Sequence, residues 1–170
     1  MSTNFLAGVP LFRSFDESQL DTLARIMIVQ DYGDGHVFIR EGDATTSMNT
    51  SLFVILEGNV DVASSRPDGG FAVDKTVTPG AILGMIGLLD HEPRSATLSC
   101  NGKVRAAHLT RHAFMEMYRS KADLAAKFQF AVAEQLVRDI RNLDNMLRDA
   151  VLHGDEASIR ERFDRSGANS

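Results

Sequence analysis

Between Ile28 and Leu109 the chain never runs far without a turn signal, and this punctuation limits the fold more than any other feature. Gly33-Asp34-Gly35, Glu41-Gly42-Asp43, Glu57-Gly58-Asn59, Asp68-Gly69-Gly70, Pro79-Gly80 and Asn101-Gly102 cut the segment into short pieces. Glycine pairs with Asn, Asp or Pro supply the positive φ angles that tight turns demand, and Asn-Gly between apolar runs is a strong hairpin signal. The pieces read as strands. Val37 and Ile39 sit among polar residues, Leu52 to Leu56 is near-continuously apolar, and Val60 and Val62 alternate with Asn59 and Asp61. Phe71 and Val73, Ser95 to Cys100 and Val104 to Leu109 complete the set. No helix-length run interrupts them before residues 81–90, so parallel crossovers are excluded and the sheet must be antiparallel, closed or double-layered. The expected fold is mainly β with flanking helices: an eight-stranded antiparallel jelly-roll-like β-barrel, a short N-terminal helix and a long C-terminal helix.

The helices have their own signals. Asp16 followed by Gln19 is a capping box ahead of Leu20, Leu23, Ala24 and Met27, which predicts a helix over 17–27. Thr110 opens a second helix through Tyr118, and Ser120 with Asp123 reads as another capping box before a run from Lys121 to about Leu152. Within that run Val132, Leu136, Ile140, Leu143 and Leu147 recur every three or four residues and draw one apolar stripe. From Leu136 to Val151 the stripe is about 22 Å long at 1.5 Å per residue, beyond easy reach of a small barrel. Self-association through Leu136, Ile140, Leu143 and Leu147 is the expected solution; folding back along the barrel is the alternative. The chain thus divides into a barrel with its N-terminal helix (1–118), a lid or dimerisation helix (119–153) and a charged, then small and polar tail (154–170) expected to be a frayed helix at most.

The 170 residues suffice for about one domain. With 44% hydrophobic and 24% charged residues they are globular rather than disordered. Eighteen basic against twenty-three acidic residues, net −5, with no Lys/Arg cluster, argue against a nucleic-acid footprint. The single cysteine, Cys100, forms no internal disulfide and no thiolate metal site, and the first ten residues carry neither a basic region nor an apolar run. Cytoplasm, without membrane association, is the expected location. His108 and His112 are four apart, but Thr110 between them begins a helix, and His36, His91 and His153 are scattered, so no metal centre is expected. Common nucleophile and nucleotide-loop motifs are missing, which argues for a binder and not an enzyme, with no cofactor.

The chemistry concentrates in Leu83-Gly84-Met85-Ile86-Gly87-Leu88-Leu89-Asp90-His91-Glu92-Pro93-Arg94-Ser95-Ala96-Thr97. Glycines let backbone amides approach an anion, and a short helix after Gly84 would aim its free N–H groups at a phosphate. Arg94 adds a guanidinium fork, and Ser95 and Thr97 add hydroxyl donors.

Together with Val9-Pro10-Leu11-Phe12, Gly42-Asp43 and Phe53-Val54-Ile55-Leu56-Glu57-Gly58-Asn59-Val60-Asp61-Val62, this stretch makes residues 9–118 resemble the cyclic-nucleotide-binding domain family of catabolite activator proteins, kinase regulatory subunits and gated channels. The resemblance implies a barrel whose cassette (Gly84, Met85, Ile86, Gly87, Arg94, Ser95, Thr97) holds the cyclic phosphate of cyclic AMP or cyclic GMP. It also implies a C-terminal helix that lids the base, with Arg138, Asp139 and Asn142 as candidate contacts, and often dimerises. One position departs from it. The family's glutamate, which accepts the ribose 2′-hydroxyl, is Met85 here, a loss of about 1.5–3 kcal/mol, or one to two powers of ten in affinity. Asp90 or Glu92 is the alternative acceptor. Gly87 replaces the usual alanine.

The expected function is a stand-alone sensor without a DNA-binding domain, signalling through its C-terminal helix to a separate effector protein. The alternative is a degenerate barrel that binds no nucleotide and serves as a dimerising interaction scaffold.

Overall fold

The computed structural model describes residues 3–44, 50–66, 70–89 and 92–152. In order these are α1 (Thr3–Gly8), a 3-10 turn (Pro10–Phe12), α2 (Glu17–Ile26), β1 (Ile28–Tyr32), β2 (Val37–Ile39) and β3 (Ser51–Ser65), then β4 (Phe71–Val77), β5 (Ile82–Leu83), α3 (Met85–Leu89), β6 (Thr97–Thr110), α4 (Arg111–Ser120) and α5 (Ala122–Leu152). The expected tail, 154–170, and His153 lie outside the described residues.

The described residues fall into two units that divide between Gln129 and Phe130, inside α5. In the first, all the strands belong to one antiparallel sheet ordered β1-β6-β3-β4, with β2 also on β6 and β5 also on β3. Among the described residues there are six strands, not eight, and no pairing joins β1 to β4 to close the sheet. Two of the expected turns explain the lower number. β3 and β6 pair from Ser51↔Thr110 to Ile55↔Ala106, shift at Glu57↔Arg105, and resume from Asn59↔Asn101 to Ala63↔Thr97. Gly58 and Gly102 do take positive φ, +84° and +81°, but as bulge residues inside two long strands. A Cβ on Gly58 would overlap the Lys103 carbonyl and stand 3.0 Å from Val104 Cα, so the two backbones touch there. Ser65↔Phe71 pairing and the Arg66 N–H to Gly70 carbonyl bond of 2.7 Å flank the expected hairpin at Asp68-Gly69-Gly70.

The buried run Ser51 to Ile55 is covered on both faces, whereas β3 beyond it alternates. Ile39, Phe53, Ile55, Val60, Leu98, Cys100, Val104 and Ala106 form the core between the strands. A second apolar centre joins the helices, where Phe128 of α5 sits 6.2 Å from Phe12 and 5.7 Å from Phe114, ring centre to ring centre. The α2 capping box is complete: Gln19 N–H donates to Asp16 Oδ1 (2.9 Å) and Asp16 N–H to Gln19 Oε1 (3.1 Å). Thr110 caps α4 by accepting from Ala113 N–H at 3.1 Å. The expected cap at Ser120 is not made. Ser120 is the last residue of α4, its hydroxyl donating back to the Glu116 carbonyl at 2.8 Å, and Lys121 supplies the carbonyl that begins α5.

Candidate functional site

The cassette is held from two directions. Gly84 ends β5 with φ +75°, a conformation L side chains rarely adopt. A Cβ there would lie 2.6 Å from the Ser51 carbonyl oxygen and 3.2 Å from Ile39 Cδ1, so the chain turns into α3 pressed against β3 and β2. From the other side, Arg94 is pinned through its backbone: its N–H donates to the Asp43 carbonyl (3.1 Å), and its carbonyl accepts from Gly42 N–H (2.8 Å). Gly42 has φ +80°. The Glu41-Gly42-Asp43 punctuation is therefore the clamp that sets where Arg94 leaves the backbone.

The Arg94 side chain, half-buried, returns to α3. Its Nη1 is 3.7 Å from the place of a Gly84 Cβ, and its guanidinium covers the face of Gly87, with Cζ 2.7 Å from where a Cβ would stand. Gly84, Gly87 and Arg94 thus converge, although they span eleven residues of sequence. The other expected cassette residues are placed differently. Met85 is buried (8% exposed) and Ile86 is turned outward (53% exposed). Ser95 is exposed. Thr97 uses its hydroxyl oxygen as an acceptor for Glu41 N–H at 3.0 Å, while the Glu41 carboxylate accepts from the N–H and hydroxyl of Ser65 at 2.7 and 2.8 Å. This network ties the last cassette residue to the clamp and to the end of β3. Asp90 and His91 lie outside the described residues; Glu92 is exposed.

In the second unit, Arg138 and Asp139 both bond to Gln135: Arg138 Nη2 donates to Gln135 Oε1 (3.0 Å) and Gln135 Nε2 to Asp139 Oδ1 (2.9 Å). Asn142, Ile140 and Leu143 are exposed, and Leu136 and Leu147 half-buried. Among the described residues no group of His, Cys, Asp and Glu is arranged to hold a metal, and no helix is long and apolar enough to cross a membrane.

Within the sheet, Tyr32, His36 and Phe38 form a ring cluster that continues through Phe53 to His108. The Tyr32 hydroxyl approaches His108 Nδ1 at 3.5 Å. Burial lowers the His108 pKa from its ordinary value and, with Cys100 nearby, raises that of Tyr32. Burial and then Asp34 push the Cys100 thiol up, and the side chain packs within the core of the sheet.

The chain is similar to known proteins in sequence and fold. A cAMP-dependent protein kinase regulatory subunit from Blastocladiella emersonii is 29% identical over 120 residues, 71% of this chain but 29% of that protein. A cyclic nucleotide-binding domain from Methylobacillus flagellatus superposes with a TM-score of 0.74 at 24% identity, covering 86% of this chain and 81% of that one. The regulatory domain of Toxoplasma gondii PKA, crystallised with cAMP, gives 0.59 at 29% identity, covering 67% of this chain and 42% of that one. The chain thus spans less than half the length of either kinase relative. The profile described as Cyclic nucleotide-binding domain matches residues 29–121, more than half of the sequence, and the chain belongs to that family.

Proposed function

We propose that the protein is a regulatory module, not an enzyme, which takes cyclic AMP, cyclic GMP or a related phosphate ligand at the cassette and passes occupancy on through α5. The observation that carries this reading is the Arg94 guanidinium lying against Gly87 and near Gly84. It brings one positive charge to the backbone of the short cassette helix, where a phosphate needs both a cation and N–H donors. A net charge of −5 argues against a nucleic-acid backbone as the partner. A relative crystallised with cAMP supports the ligand class. Coupling to α5 is a population shift: a ligand touching cassette and lid stabilises the closed state by its differential affinity. Arg138, Asp139 and Asn142 are the lid contacts we assign. A separate effector protein receives the signal, in the cytoplasm.

A second reading, a dimerising scaffold that binds no nucleotide, is favoured by Met85. Its buried thioether is a weak acceptor where the family carries a carboxylate. Calorimetric titration with cyclic AMP, cyclic GMP and cyclic di-GMP separates the two. The sensor binds one of them, loses it on Arg94→Ala and gains affinity on Met85→Glu; absence of heat and of any rise in melting temperature with all three ligands leaves the scaffold.

Both readings use the stripe on α5. Ile140 and Leu143 are 65% and 57% exposed, and with Leu136 and Leu147 they follow the three-four spacing of a helix pair. A second copy covering the stripe makes a homodimer, which Leu143→Asp splits in light scattering. A wild-type protein that stays monomeric at every concentration rejects the dimer.

A further inference from the structure

Glu41 is a carboxylate on the turn that clamps Arg94. By charge alone it opposes the binding of an anion there, so its place in the turn needs another reason. Its hydrogen bonds supply one. Glu41 N–H donates to Thr97 Oγ1 at 3.0 Å, and its Oε2 accepts from the N–H and the hydroxyl of Ser65 at 2.7 and 2.8 Å. One residue thus joins the first position of β6 to the last of β3.

The β3–β6 ladder stops where this carboxylate enters. Its final pairs are Asp61↔Ser99, Val62↔Leu98 and Ala63↔Thr97, and the chain bends at Ser95 and Ala96, just ahead of β6. β3 runs on, paired to β4 as Ser64↔Ala72 and Ser65↔Phe71. Continued in the same register, the ladder would set Ser65 opposite Ser95. Successive amides of a strand point to opposite sides, and Arg66 N–H points to β4, where it meets the Gly70 carbonyl at 2.7 Å. The Ser65 N–H therefore points away from β4, to the side where a longer ladder would present the Ser95 carbonyl. Glu41 Oε2 takes that place. An amide already satisfied no longer recruits the next residue of the neighbouring strand.

We propose that the Glu41 carboxylate ends the β3–β6 ladder: by holding the Ser65 amide it keeps Ser95 out of the sheet, and residues 94–96 stay open as a phosphate loop. Glu41 is a positioning residue, acting through Ser65 on Ser95 and Arg94. Its consequence for ligand rests on the reading above, in which Arg94 and Ser95 meet a phosphate. Without the acceptor, Ser64↔Ala96 and Ser65↔Ser95 extend the ladder. Ser95 is then drawn into the sheet and the Arg94 fork turns with it. Charge-assisted hydrogen bonds to the anion are lost, and phosphate affinity falls about tenfold or more.

Three variants of the full chain separate reach from charge. Glu41→Gln keeps an acceptor oxygen at the same reach and loses the charge, Glu41→Asp keeps the charge and is one methylene short, and Glu41→Ala loses both. The first readout is the NMR Hα–Hα cross-peak between Ser64 and Ala96, which a longer ladder would bring together as a closely spaced, non-hydrogen-bonded pair. It is missing in the wild type and in Glu41→Gln, and it appears in Glu41→Asp and Glu41→Ala. Titration with cyclic AMP is the second readout and follows the same division: Glu41→Gln binds as the wild type does, while Glu41→Asp and Glu41→Ala bind about tenfold more weakly. A pure charge effect gives another order, with Glu41→Gln and Glu41→Ala tighter than wild type and Glu41→Asp unchanged. The ladder stop is overturned by that order, by a cross-peak in the wild type, by its absence from Glu41→Asp and Glu41→Ala, or by its presence there with affinity unchanged. Should Glu41→Ala fail to fold, Glu41→Asp against Glu41→Gln decides. If the wild type takes up no cyclic AMP, that ligand reading falls, and the ladder stop is judged on the cross-peak alone.

Discussion

Gly84→Ala tests whether the cassette is fixed by contact with the sheet. Two penalties act at that position. A residue with a Cβ at φ +75° is disfavoured by roughly 1–2 kcal/mol. The same Cβ also lands 2.6 Å from the Ser51 carbonyl oxygen; this is backbone that cannot swing away, a forced shift costing about 1–3 kcal/mol. The sum is about 3 kcal/mol, which at roughly 2–4 °C per kcal/mol lowers the melting temperature by about 6–12 °C. Gly80→Ala is the matched control. Its φ is +88°, but nothing lies within 4 Å of the added atom, so it carries the conformational penalty alone, about 1–2 kcal/mol. Thermal unfolding followed by circular dichroism measures both. A Gly84→Ala melting temperature no lower than that of Gly80→Ala refutes the packing of the cassette hinge against Ser51 and Ile39.

Protonation supplies a second prediction. The His108 pKa is held below its ordinary value of about 6.5, with burial the cause. The unfolded chain therefore binds the proton first. Stability is at its full value above about pH 6.5 and is lost as pH falls toward the folded value; chemical denaturation at about pH 7 and about pH 5 shows the drop, and His108→Gln flattens it. Phe128→Ala removes a fully buried ring seated between Phe12 and Phe114 and is expected to destabilise by about 3–5 kcal/mol, read as a lower denaturation midpoint. Thr110→Ala removes the α4 cap and costs about 1 kcal/mol; an unchanged midpoint would mean that the Ala113 N–H finds another acceptor.

Local chemistry was legible in the sequence, and long-range chemistry much less so. Every positive-φ glycine among the described residues (Gly35, Gly42, Gly58, Gly80, Gly84, Gly102) sits at a turn signal or at the cassette opening, because the demand for φ > 0 is a property of one residue. Asp16 and Gln19 announced α2 for the same reason. Whether a turn ends a strand or bulges within it depends on the partner. Gly58 and Gly102 keep β3 and β6 continuous only because the two strands face each other across both bulges. α1 passed unread, since Thr3 to Gly8 is too short to show a helical period.

In the candidate site, Gly84 and Arg94 were visible as residue types suited to an anion. The Gly42-Asp43 clamp was not, although its turn was, because two backbone hydrogen bonds across fifty residues leave no mark on side-chain identity. Thr97 was legible only in part: its type suggested a ligand donor, and its oxygen also accepts from Glu41 N–H, a structural tie that leaves the hydroxyl hydrogen to donate.

The pairing of Ala63 with Thr97 places residues 64–96, cassette included, inside a loop closed by the longest ladder among the described residues. β4 pairs with β3 through a local hairpin and needs no such closure, but the cassette between β5 and β6 takes its place only once those distant ends have met, a slow, entropy-limited step. Amides of β3 and β6 should then report the global opening free energy in native-state hydrogen exchange, while those of α3 open through smaller excursions. Under the proposed function, a ligand at the cassette would bind where local opening costs less than global unfolding, so that modest binding energy would make a large difference to local order.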